Sequence, residues 1–139
     1  MDKKLMIEID GNCYEVTKTN NYGYNQIELE DGTEWAIFET RESAGESARE
    51  YWEDMAQNDA KEFVCMVGEE TLVQWGMGHF AGPGSTQVQN LEEWLDLWID
   101  TPEEHFASYD GEEHDCRINN NLKEELGFSD KKNVCYRQN

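Results

Sequence analysis

Between Leu91 and Cys116 the chain carries ten carboxylates, Glu92, Glu93, Asp96, Asp100, Glu103, Glu104, Asp110, Glu112, Glu113 and Asp115, and neither lysine nor arginine. Side chains of this type at this density have three chemical uses. They ligate a metal ion, they exchange protons with a substrate, or they present negative charge to a basic partner. A metal centre needs converging ligands at characteristic spacings. No D-x-[DN]-x-[DN]-G loop with a glutamate at its twelfth position occurs, which excludes an EF-hand. His114 and Cys116, with Cys135 or His105, are donors of the zinc type, but the chain has neither C-x-x-C nor H-E-x-x-H, and no metal is expected.

Enzyme chemistry is no better supported. Neither G-x-S-x-G nor G-x-x-x-x-G-K-[ST] is present. The segment "GMGHFAGPGS" lacks a nearby base to hold phosphate, so it reads as a surface loop, and its His79 has no specified partner. Asp110 and Glu113 are acids of the glycosidase type, yet closeness in sequence does not fix a separation across a sugar. Cys65, inside "FVCMV", reads as a small buried hydrophobe. No catalytic residue and no cofactor are expected.

Charge is the distinctive quantity. Thirty-one acids against eleven bases leave a net charge of −20, whereas small soluble domains commonly hold a magnitude of about 2–8. The excess is uneven: from Glu62 to Cys116 there are thirteen acids and no base, and the other eighteen acids share the rest of the chain with all eleven bases. Such a surface repels nucleic acid and anionic membranes and attracts a basic protein. Acids in a first helical turn, such as Glu42, Glu92, Glu93, Glu103 and Glu104, gain about 0.3–1 kcal/mol each from the helix dipole. Glu46, Glu50, Asp96 and Asp100 have no such reason. They stand behind other acids at i+4, where like charges cost roughly 0.2–0.5 kcal/mol per pair. The expected partner-binding residues are therefore Glu46, Glu50, Glu53, Glu92, Asp96 and Asp100 on helix backs, with Asp110, Glu112, Glu113 and Asp115 beyond them. Tyr109, or Tyr22 and Tyr24, are candidate aromatic anchors at the rim.

In size, net charge and acidic helices the chain resembles the small acidic DNA-mimic proteins that phages and mobile elements use against restriction or CRISPR nucleases. The resemblance implies a non-enzymatic inhibitor that occupies the basic groove of a DNA- or RNA-handling protein. It rests on composition and carries over no functional residue. Duplex DNA presents one charge per about 1.7 Å of axis, and helical carboxylates at i and i+4 are about 6 Å apart along the axis. Rows on adjacent helices can approach the field of DNA without copying each phosphate. The alternative is an acidic adaptor or chaperone for a basic protein that never touches nucleic acid. A halophilic protein would also be acid-rich, though with its excess spread along the chain.

Positioning these groups falls to the following elements. In "LMIEI", Leu5, Ile7 and Ile9 alternate with polar or flexible neighbours as in a half-buried strand, and Asp10-Gly11 is a tight-turn pair before "CYEVTKT". "QIELE", Asp31-Gly32 and "TEWAIFET" repeat the pattern, giving two hairpins in a four-stranded meander. Then the period changes. Ala44, Ala48, Tyr51, Trp52 and Met55 form one helical stripe, with Glu42, Glu46, Glu50 and Glu53 opposite. Residues 63–67 suit either a helix or a strand. Leu91, Trp94, Leu95, Trp98 and Ile99 make the inner face of a helix whose back bears Glu92, Asp96 and Asp100. "TPEE" starts another helix, and Ile118, Leu122 and Leu126 mark a last one, stopped by Gly127. The expectation is one α+β domain over 1–139: mainly β over 1–40, mainly α over 41–128, and a tail or edge strand over 129–139. With four cysteines and no secretion signal in "MDKKLMIEID", a cytoplasmic setting is expected.

Overall fold

The computed structural model describes residues 3–55 and 91–139, and for 55 and 91–94 the backbone alone. The readings made for 63–67, Cys65, His79 and the glycine-rich loop lie outside the described residues, as do those for the side chains of Met55, Leu91, Glu92, Glu93 and Trp94. In chain order the elements are β1 (Met6–Ile9), β2 (Asn12–Asn21), β3 (Asn25–Leu29), β4 (Glu34–Phe38), α1 (Arg41–Met55), α2 (Leu91–Asp100), α3 (Glu103–Phe106), β5 (Glu113–Ile118), α4 (Asn120–Leu126) and β6 (Lys132–Arg137). They fall into two compact units, Met1–Arg41 with Phe106–Asn139, and Glu42–His105.

The first unit is a closed antiparallel barrel in the order β1-β2-β3-β4-β6-β5, with β5 pairing back onto β1. The two expected hairpins form its first four strands. Asp10 (φ 54°) and Gly11 (φ 84°) both take the left-handed backbone that a two-residue hairpin turn demands. At the second turn Asp31 accepts hydrogen bonds from the backbone and the hydroxyl of Thr33, which hold its carboxyl below the usual carboxylate range.

The rest of the fold corrects the expected α+β architecture of an N-terminal sheet followed by several amphipathic helices with acidic outer faces. Two further strands close the sheet, and the described helices are four short elements. β5 is "EHDCRI", in which Cys116 and Ile118 point inward while Asp115 and Arg117 are exposed. Its period of two is carried by only two apolar residues in a polar stretch. Ile118 matches Leu122 and Leu126 at helical spacing, but it ends β5. The helix begins after it, where the Asn119 side chain accepts from the Leu122 N–H, and ends at Gly127 (φ 72°). β6 is not an edge strand: it pairs with β4 on one side and β5 on the other. Closure leaves no edge exposed to other chains.

Ile7, Ile9, Val16, Ile27, Leu29, Trp35, Ile37, Cys116, Ile118 and Cys135 fill the barrel, joined by Leu122 from α4. Outside it, Phe38, Phe106, Tyr24 and Tyr136 form a second apolar layer, with Phe38 and Phe106 centroids 4.6 Å apart. β4 is thus covered on both faces, which is why Trp35 to Phe38 read as a continuous apolar run.

In the second unit, Ala44, Gly45 and Ala48 of α1 are buried, and Trp98 of α2 stacks on Trp52 at 5.8 Å. Tyr51, expected in the buried stripe, is 49% exposed. The inner face is rotated toward the small residues because they allow backbone to approach backbone. A Cβ placed on Gly45 would stand 2.3 Å from the Cα of Ile99. No described helix is long and apolar enough to cross a membrane.

Candidate functional site

On α1 the exposed acids form one line. Glu42, Glu46, Glu50 and Asp54 occur at i, i+4, i+8 and i+12 and are all exposed, which at 1.5 Å per residue extends over about 18 Å. Asp54 continues the row; Glu53, expected in it, is half-buried. On α2, Asp96 and Asp100 are exposed, and Asp96 meets the Arg49 guanidinium at 3.2 Å. The sequence of Glu42–His105 contains fifteen acids and two bases, and the remainder of the chain sixteen acids and nine bases. The charge excess is therefore concentrated in this second unit, whose described elements are helical and which is called the helical unit below.

The four expected site residues of the barrel unit divide. Glu112 and Asp115 are exposed. Glu113 is engaged internally: its Oε2 accepts from the Tyr136 hydroxyl at 2.9 Å and from Arg41 at 2.5 Å. Asp110 is also engaged. Its Oδ1 accepts the Glu112 N–H at 3.1 Å, and its Oδ2 lies 2.8 Å from Nε2 of His114. Among the candidate anchors, Tyr22 (64% exposed) and Tyr109 (68%) are open, with the Arg137 guanidinium 4.3 Å over the Tyr109 ring, whereas Tyr24 belongs to the outer apolar layer.

His114 is the residue whose setting the sequence did not reveal. It shares the inward side of β5 with Cys116 and Ile118, and its ring meets Trp35 edge-on at 5.0 Å. Nε2 faces Asp110, and Nδ1 faces Asp10 Oδ2, also at 2.8 Å. Burial disfavours the ring's charge, but the hydrogen bonds to Asp110 and Asp10 outweigh it and raise the pKa above 6.5. Burial likewise opposes ionisation of Asp110, yet the Glu112 N–H and the His114 ring prevail and hold its carboxyl below the ordinary value. Asp10 reads from sequence as a turn residue alone. The alternation 114-116-118 was the available signal, and it was hidden with the strand itself.

Asp110, Glu112 and His114 bring potential ligand atoms within 4.8 Å of one another. A metal-ligating imidazole must offer a lone pair, and here both ring nitrogens are directed at carboxylates. Burial pushes the Cys135 thiol well above 9.0, away from the thiolate that binds metal. His105 belongs to the other unit, where burial pushes its pKa down to about 4 and it lies 3.1 Å from the indole N–H of Trp52. What the described residues present is an acidic helical row and a histidine held between two aspartates. No protein-family model matches the chain, and neither a curated protein nor a solved structure does.

Proposed function

We propose that the chain is a non-enzymatic acidic decoy whose helical unit binds the basic nucleic-acid groove of a DNA- or RNA-handling protein. The observation that carries the reading is the exposed row Glu42, Glu46, Glu50 and Asp54, in a unit with fifteen acids and two bases. Asp96 and Asp100 of α2 belong to the same unit, and Tyr51, half exposed on α1, is an aromatic available to anchor contact. Glu112 and Asp115 add charge to the barrel unit; Asp110 and Glu113 serve internal partners first. The field of such a row speeds association with a cationic groove and makes it sensitive to salt. The protein acts in the cytoplasm on this reading, in keeping with Cys13, Cys116 and Cys135 as free thiols.

Two measurements test it. Glu50→Lys turns two repulsive i,i+4 pairs, with Glu46 and Asp54, into attractive ones. It is expected to raise stability by roughly 1 kcal/mol in urea unfolding while weakening the partner. A binding site in which the native charge is worse for the fold and better for the complex is the signature of selection for recognition. The triple variant Glu46→Lys, Glu50→Lys, Asp54→Lys should slow association with a partner captured from host lysate at graded salt by about tenfold or more. A DNA duplex and the wild-type protein should exclude each other from that partner. Simultaneous binding of both would instead assign the chain to the acidic adaptors, and unchanged kinetics in the triple variant would remove α1 from the interface.

A further inference from the structure

We propose that His114 is a protonation-operated clasp that joins the β1–β2 turn to the segment leading into β5, closed while the ring holds two protons and opened when it loses one. The geometry requires this sequence of states. A neutral imidazole has one N–H and one lone pair, and an ionised carboxylate only accepts. Both His114 nitrogens lie 2.8 Å from carboxylate oxygens, of Asp10 and of Asp110, so both contacts are satisfied only by the imidazolium. Once one proton leaves, a lone pair faces an anionic oxygen, and that contact must break.

The two aspartates are a hundred residues apart in sequence and belong to different segments, so losing one contact frees the β1–β2 turn from the segment that leads into β5, while the β1–β5 pairing from Ile7–Ile118 to Ile9–Cys116 still joins the strands themselves. Asp10 sits in the turn between β1 and β2, in left-handed backbone (φ 54°). Asp110 lies between α3 and β5. The other groups around the ring do not substitute for them. β4 contributes the Trp35 indole, which is uncharged. β6 contributes Cys135, opposite His114 in the sheet and protonated through burial, and Arg137, which acts on Asp110. Along β5, Glu113 is bonded to Arg41 and Tyr136, Asp115 is exposed, and Cys116 is buried. Glu112 lies beside the cluster and donates its backbone N–H to Asp110. The raised pKa of His114 agrees with this arrangement. Because the folded value lies above 6.5, the clasp's stabilisation is present in full below pH 6.5 and is lost as pH rises through the folded value. Its opening is an alkaline event, and it leaves Asp10 and Asp110 without their shared cation.

The test is a heteronuclear NMR titration of the His114 ring in the full chain from about pH 5 to about pH 9, across the range where histidines titrate. The His114 midpoint should lie above 6.5, while His105 stays neutral throughout. Asp10→Asn keeps a residue suited to left-handed backbone and removes only the charge; Asp110→Asn does the same on the other side. Each should move the midpoint down toward 6.5. In the wild type, the hydrogen-exchange protection factor of the Glu112 amide should fall as pH passes the midpoint, and in His114→Gln that pH dependence should vanish. A wild-type midpoint at or below 6.5, a midpoint indifferent to both asparagine variants, or Glu112 protection that ignores the titration would each overturn the clasp.

Discussion

Gly45→Ala is expected to destabilise the helical unit by about 2–3 kcal/mol, although alanine is ordinarily better than glycine inside a helix by about 1 kcal/mol. The added methyl would stand 2.3 Å from Ile99 Cα, 2.6 Å from its carbonyl oxygen and 2.8 Å from its carbonyl carbon. Backbone cannot swing aside as the end of a long side chain does. Relief requires α1 and α2 to separate, which loosens the contacts of Ala44, Ala48, Leu95 and Trp98, all fully buried. Overpacking of this kind costs about 1–3 kcal/mol, and the backbone contact places this site at the upper end. Urea unfolding measures it. Glu50→Ala is the control: on the exposed side of the same helix it relieves two like-charge pairs and should raise stability by up to about 1 kcal/mol rather than lower it. A Gly45→Ala protein more stable than the wild type would mean that the two helices do not approach as closely as Gly45 permits.

The same residue explains part of what the sequence concealed. The helical period of α1 was legible in Ala44, Ala48 and Trp52, but an apolar count treats Tyr51 as core and glycine as neutral. Close approach reverses both: Gly45 is buried and Tyr51 is half exposed. The first four strands were legible because alternation and two Asp-Gly turns agreed on each boundary. β5 was not, since a strand that contributes only Cys116 and Ile118 to a closed barrel needs no more apolar residues, and carboxylates fill its other positions. Composition pointed correctly to an uneven charge. It did not separate acids that face outward, such as Glu46 and Glu50, from those with internal work, such as Glu113 and Asp110, because that division is made by Arg41 and Tyr136, far from Glu113 in the chain, and by His114, near Asp110 but on a strand that was not legible.

Phe106→Ala is expected to cost about 3–5 kcal/mol, the range for removing a buried aromatic side chain, out of a total stability of about 5–15 kcal/mol. Phe106 is 2% exposed and has Phe38, Tyr24 and Tyr136 around it, with ring centroids 4.6, 5.0 and 6.2 Å away. These rings cover the outer face of β4 and β6, so truncation exposes apolar surface that the barrel interior cannot take up. The closed hydrogen-bonded ring of strands also resists collapse into the gap, which keeps the cavity term large. Phe106→Leu should recover more than half of the loss by restoring volume. The local consequence is specific: Tyr136 donates to Glu113, which also meets Arg41, so a loosened layer releases a carboxylate that the native packing holds. Near-ultraviolet circular dichroism should therefore report weaker tyrosine bands in Phe106→Ala before the unfolding transition, while the far-ultraviolet signal of the strands persists. Equal stability of the alanine variant and the wild type would show that this outer layer is not part of what holds the barrel together, and that the inner core of Ile27, Ile37 and their neighbours suffices.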